Sequence, residues 1–109
     1  MIDDPIYRFT LLTLHLAQQD KASELAVLPL GHVGPPIRYK VGGTWYDVSP
    51  PPPEVVTGFR GELQRLAGCL RKSFPKEGTI DVPFSGTRLR WRLNIEREEA
   101  EYVLTPILQ

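Results

Sequence analysis

The chain has 109 residues, 41% of them hydrophobic and 24% charged, with 13 Lys and Arg balanced by 13 Asp and Glu. That length supports one domain, residues 1–109, with a core that needs no staples. A net charge of zero argues against a dedicated nucleic-acid binder, which carries a basic excess.

The first element reads as a helix from Pro5 to Gln19. Asp4 is a suitable N-cap, and Pro5 suits the first helical position because its missing N–H would be unsatisfied anyway. Ile6, Phe9, Leu12, Leu16 and Ala17 fall on one face, which Leu11 and Leu14 widen. So broad a stripe implies packing across a sheet, with a partner helix as the second reading. Polar residues from Gln18 to Lys21 end the helix, and Glu24 to Leu28 reads as a short buried strand. Pro29 to Pro36 holds two Gly and three Pro and reads as a loop.

Ile37 to Val41 and Thr44 to Val48 form two alternating strands around Gly42-Gly43, which can both take the positive φ of a two-residue hairpin turn. Trp45 and Tyr46 point to opposite faces, so one is expected in the core and the other exposed or at an interface. Ser49 and Pro50 to Pro53 stop the sheet, since prolines cannot donate ladder hydrogen bonds. A helix follows from Glu54 to Arg71, with Val55, Val56, Phe59, Leu63, Leu66, Ala67 and Leu70 as its buried face. Gly58, Gly61 and Gly68 imply either a close approach or a merely suboptimal helix.

The last third is β structure. Thr79 to Phe84 and Arg88 to Ile95 are strands joined by Ser85-Gly86, and Pro83 belongs on an edge or bulge. Leu89, Trp91, Leu93 and Ile95 alternate with Arg88, Arg90 and Arg92. A charged turn, Glu96 to Glu99, precedes a final strand from Ala100 to Ile107. The order α-β-ββ-α-βββ gives an α+β fold: a mainly antiparallel sheet of about six strands with two helices on one face, PAS-like in architecture.

Several stretches carry a family likeness. Ala22-Ser23-Glu24-Leu25-Ala26-Val27-Leu28-Pro29 matches a motif A-S-D-[I/L]-H-[I/L]-E-P, and Ile37 to Val48 matches R-[V/I]-R-[Y/F]-R-I-D-G-x-[L/W]-x-x-V. A proline stretch follows, then Leu63-Gln64-Arg65-Leu66-Ala67-Gly68 against a helix ending in R-L-K-x-[L/M]-A. Phe74 to Thr79 echoes R-x-P-Q-D-G-R, and Leu89 to Leu93 with Glu99 to Leu108 matches the closing strands. In these features, from about Leu11 onward, the chain resembles the N-terminal PAS-like domain of the ATPases that drive type II secretion and bacterial type IV pili.

The departures from that family bear on function. No G-x-x-x-x-G-K-[S/T] occurs, so the phosphate-cradling loop of the family's second domain is missing. The motif His is Ala26, its Asp is Glu24, the hairpin D-G is Gly42-Gly43, and the Arg of D-G-R is Thr79. In the full-length enzymes arginines of this domain reach a nucleotide on the neighbouring domain. Here Arg38 and an Arg of the Arg90/Arg92 strand are the remaining inheritors of that role.

No catalytic constellation is evident, so no enzyme activity, cofactor or metal is expected. Arg88, Arg90 and Arg92 form a row about 7 Å apart from the strand rise. They either pair with Glu99 and Glu101 on the next strand, the preferred reading, or present an anion-binding or acidic-partner surface. His15 and His32 lack partners at ligand spacing. Cys69, the single cysteine, excludes an internal disulfide, fits a reducing compartment and reads as a small apolar filler. Ser85-Gly86 lacks the G-x-S-x-G context of a nucleophile. Nothing approaches the roughly 18 apolar residues of a membrane span, and Asp3-Asp4 has the wrong charge for a signal peptide. A cytoplasmic location is the expectation.

The leading expectation is a non-catalytic interaction or assembly domain associated with a secretion or pilus ATPase, acting by docking on that protein or by homo-oligomer formation. Arg38, Lys40, Trp45, Arg88, Arg90 and Arg92 are the candidate contacts, with no nucleic acid and no membrane insertion. The alternatives are a PAS-like small-molecule sensor, its cavity lined by Trp91, Phe59 and Tyr102, and a fragment of a longer secretion ATPase.

Overall fold

The computed structural model describes residues 4–29, 33–49 and 52–108. His32, Pro50 and Pro51, singled out in the sequence, lie outside them. Eight elements follow in the order expected: α1 (Pro5–Gln19), β1 (Glu24–Val27), β2 (Ile37–Val41), β3 (Thr44–Asp47), α2 (Pro53–Leu66), β4 (Lys76–Phe84), β5 (Thr87–Ile95) and β6 (Tyr102–Pro106). The fold is α+β, with a six-stranded antiparallel sheet ordered β3-β2-β1-β6-β5-β4.

Local chemistry sets the element ends. The Asp4 carboxylate accepts from the Ile6 N–H at 2.9 Å and opens α1. Each helix closes with a residue of positive φ, Lys21 at 60° after α1 and Gly68 at 71° after α2. In both, the next N–H reaches back five residues: Ala22 to the Ala17 carbonyl at 2.9 Å and Cys69 to the Gln64 carbonyl at 3.0 Å. This motif stops α2 at Leu66, short of the Arg71 expected from periodicity. Gly68 is therefore a cap and not a point of close approach. The β2–β3 and β4–β5 hairpins turn on Gly42-Gly43 and Ser85-Gly86, all four at positive φ.

Strand alternation sends Ile37, Leu25, Val27, Tyr102, Leu104, Leu89, Trp91, Leu93, Ile95 and Ile80 toward the helices, where they form one core with Leu11, Leu14, Ala17, Phe59, Leu63 and Cys69. Phe9 packs edge-on against Phe59 at 5.2 Å and joins the two helices. Cys69 is a free, buried thiol just beyond α2. Pro83 lies on β4, an edge strand, as its missing donor requires.

Two helix faces differ from the sequence pattern. In α1, Leu12 and Leu16 are 51% and 43% exposed, while Thr10 and Thr13 are buried. Apolar residues ring so much of this helix that periodicity cannot choose a side. Thr10 is tolerated inside because its hydroxyl donates to the Ile6 carbonyl at 2.7 Å. In α2, Arg60 and Gln64 share the buried face with Phe59 and Leu63, and Leu70 lies outside the core. Among the described residues no helix is long and apolar enough to cross a membrane.

The end of α2 packs so closely on β4 that a Cβ at Gly78 would collide with the Ala67 carbonyl oxygen, whereas one at Gly61 would meet open space. Gly78→Ala should lower stability by about 1–3 kcal/mol, as overpacking against backbone does. Gly61→Ala should raise it by about 0.5–1 kcal/mol through helix propensity. Urea denaturation followed by circular dichroism measures both.

Candidate functional site

Both helices cover the same side of the sheet, and the alternation that buries Ile37 and Trp91 turns their neighbours to the other side. All six candidate residues, Arg38, Lys40, Trp45, Arg88, Arg90 and Arg92, therefore share the uncovered face. They form two groups. β2 and β5 are three strand spacings apart, about 14 Å. Between the groups lies a floor of Ala26, Val103 and Thr105 on β1 and β6.

The first group centres on Trp45. The Arg38 guanidinium carbon lies 4.7 Å from the indole centroid and the Lys40 ammonium 5.8 Å from it. Both cations are held against the negative face of the ring. The Arg38 Nε is buried without a hydrogen-bond partner. Neither aromatic of β3 is a core residue, contrary to expectation: Trp45 is half-buried and Tyr46 is 50% exposed. The reason is position: Trp45 lies on the uncovered face, and Tyr46, on the helix side, belongs to the edge strand.

The second group is tied by a different acid than expected. Arg88 donates from Nε to Asp81 at 2.7 Å, and Arg90 approaches the same carboxylate at 3.5 Å. Glu99 and Glu101 precede β6 and have no place in its register with β5, so they cannot pair with the row. Arg92 lies between Thr79 and Thr105, where no acid faces it. Glu24, Asp47, Glu77 and Asp81 share the face with its five cations, so the surface is mixed in charge, not uniformly basic.

On the helix side of the same hairpin, the Tyr39 hydroxyl donates to Asp20 at 2.6 Å. This hydrogen bond, with burial and the carboxylate charge, raises the Tyr39 pKa above the ordinary 10.0. The fold favours the neutral phenol, so the contribution is complete below about pH 10 and lost as pH rises through the raised value.

Sequence reasoning missed a buried polar chain under α2. Lys76 donates to the Gln64 side-chain oxygen at 2.6 Å and to the Leu70 carbonyl at 3.0 Å. Gln64 donates onward to the Tyr102 hydroxyl at 2.5 Å, and Arg60 stacks over the Tyr102 ring at 4.0 Å. Arg60 also donates to the Leu28 carbonyl at 2.9 Å and the Ala100 carbonyl at 3.2 Å, fastening the chain after β1 and before β6. The available signal was the spacing of Arg60 and Gln64, four apart beside Phe59 and Leu63.

Trp91, Phe59 and Tyr102, expected to line a ligand cavity in the sensor reading, are packed in the core. None lines the four described pockets, which are surface clefts such as one of about 460 Å³ bounded by Gln18, Thr87, Arg88, Arg90 and Pro106. His15 rests edge-on against Phe84 at 5.1 Å. Among the described residues no group of three or more His, Cys, Asp or Glu is placed to hold a metal ion. No protein-family model and no curated protein matches the chain.

Arg60→Met keeps the apolar stem and loses both carbonyl contacts. It should cost about 2–4 kcal/mol, read from chemical denaturation, as charged hydrogen bonds to buried carbonyls imply. Ultraviolet titration should show a late-titrating phenol that disappears in Tyr39→Phe.

Proposed function

We propose that the chain is a non-catalytic interaction or assembly domain that docks onto an ATPase of the type II secretion or type IV pilus kind. The observation that carries this reading is the uncovered sheet face with its two candidate groups on one surface. A half-buried indole between two cations is a ready apolar anchor. The interleaved Arg, Glu and Asp side chains around it suit a partner of complementary mixed charge and fix its register.

Physical chemistry disfavours the other macromolecular partners. A neutral chain with carboxylates among its surface arginines lacks the field that attracts nucleic acid. The resemblance in motif order supplies the class of partner. A bacterial cytoplasmic location and a role without direct membrane insertion belong to the same proposal. Arg38 is the residue best placed to inherit a contact near nucleotide, since stacking on Trp45 already orders its guanidinium.

An affinity pull-down from source-cell lysate, with and without ATP and read by mass spectrometry, tests the reading. Recovery of a P-loop secretion or pilus ATPase is the expected result, and Trp45→Ala and Arg90→Glu should each weaken capture about tenfold. Full capture by both variants would show that the open face is not the docking surface.

A further inference from the structure

We infer that the free edge of β3 pairs with β3 of a second copy of this chain, joining two sheets about a twofold axis at Tyr46. The two edges of the sheet are not equivalent. On β4, the edge strand at the far side, Pro83 supplies no donor and the Asp81 carboxylate is engaged by Arg88 and Arg90. Proline and charge of this kind guard an edge against pairing. β3 carries neither a proline nor a lysine, and it displays Trp45 and Tyr46.

The ladder shows which backbone groups β3 offers. The Val48 N–H donates to the Ile37 carbonyl at 2.9 Å, so Ile37 and Val48 form a hydrogen-bonded pair. Alternation then makes Tyr39–Tyr46 and Val41–Thr44 hydrogen-bonded pairs, and Arg38–Asp47 and Lys40–Trp45 non-hydrogen-bonded ones. Trp45 and Asp47 therefore turn both their N–H and C=O groups outward.

An antiparallel partner strand centred on Tyr46 sets Trp45 opposite Asp47 of the copy and Asp47 opposite its Trp45. All four outward residues, two from each chain, then exchange N–H···O bonds. The register centred on Trp45 is poorer, because it needs Gly43, fixed at φ 85° in the turn, to pair with Asp47.

Side chains agree with the same register. On the open face the order becomes Lys40, Trp45, Asp47 of the copy, then Arg38 of the copy, so each carboxylate lies between an indole and a cation. On the helix side the Tyr39–Tyr46 contact at 6.2 Å extends into a row of four tyrosines. A second copy fits this edge better than an unrelated strand because the complementarity is its own. The contact is short and falls below the roughly 1,000 Å² of a stable interface, so the dimer dissociates on dilution.

This inference deepens the interaction-domain reading by naming one partner, but it uses the strand edge and not the arginine row. A monomeric protein that still captures an ATPase would overturn the edge pairing alone. Sedimentation velocity on a dilution series from millimolar to micromolar should show a reversible monomer–dimer equilibrium. Trp45→Pro removes an outward donor and the indole while sparing every hydrogen bond between β2 and β3, and it should weaken dimerisation about tenfold or more, with circular dichroism confirming the fold. If that variant is unfolded, Tyr46→Lys decides, since it sets two ammonium groups side by side on the axis and leaves the backbone intact.

Register is read separately. Tyr46→Cys should oxidise to a covalent dimer, because its Cβ meets its own copy in a non-hydrogen-bonded pair, while Thr44→Cys should not. Cys69 is buried and does not compete. A monomer at millimolar concentration, unchanged dimerisation in folded Trp45→Pro or Tyr46→Lys, or equal crosslinking of both cysteine variants would overturn the proposal.

Discussion

The pairing of β1 with β6 holds the molecule together. The chain makes two local β units, β1-β2-β3 before α2 and β4-β5-β6 after it, and only this antiparallel seam joins them into one sheet. Leu25 meets Leu104 and Val27 meets Tyr102 across it, so both strands present their apolar faces to the same helices. A shift by one residue would turn each of these side chains to the opposite face. Arg60 reinforces the seam from above by binding carbonyls on either side of it, at Leu28 and Ala100.

The seam also determines where surface chemistry can gather. Once both helices pack on one side, every charged residue alternating with the core must emerge on the other. Arg38 and Arg92, far apart in sequence and on different β units, come to share one surface for that reason alone. The same geometry keeps that surface mixed in sign, because Asp81 and Glu24 obey the alternation too. Burial of Lys76 and Arg60 under α2 is the opposite case. Two cations are kept inside by carbonyl, amide and aromatic partners, with Gln64 and Tyr102 linking them. Such a chain ties α2 to the start of β4 and to β6 with direction as well as contact, since every donor needs its own acceptor.

Edges complete the picture. A sheet with six strands has two, and this one treats them differently: Pro83 and the Asp81 ion pairs guard β4, while β3 carries aromatics on both faces. Trp45 is half-buried and Tyr46 exposed, and neither serves the core. The helix-side hydrogen bond from Tyr39 to Asp20 steadies the hairpin against α1 and keeps that edge in a defined orientation.

By itself the sequence determined what depends on short-range chemistry. The Asp4-Pro5 cap, both two-residue turns and the strict alternation from Arg88 to Ile95 are set by neighbours a few residues away, while sheet order chose the edge over the bulge for Pro83. The separation of the arginine row from the core was legible as well, because alternation along β5 needs no knowledge of the sheet order, whereas its sharing a face with Arg38 and Lys40 was not. Only the tertiary structure decided which side of α1 is buried, since its apolar residues encircle the helix and several faces were equally hydrophobic. It alone chose Asp81 over Glu99 and Glu101 as the arginine partner, because pairing depends on register across strands. It put Arg60 and Lys76 inside, where Arg60 meets the carbonyls of Leu28 and Ala100 and Lys76 meets the Gln64 side chain and the Leu70 carbonyl, partners brought from other segments. Short-range rules act along the chain, whereas burial and charge pairing depend on which distant segments meet, and here that is settled at the seam between β1 and β6.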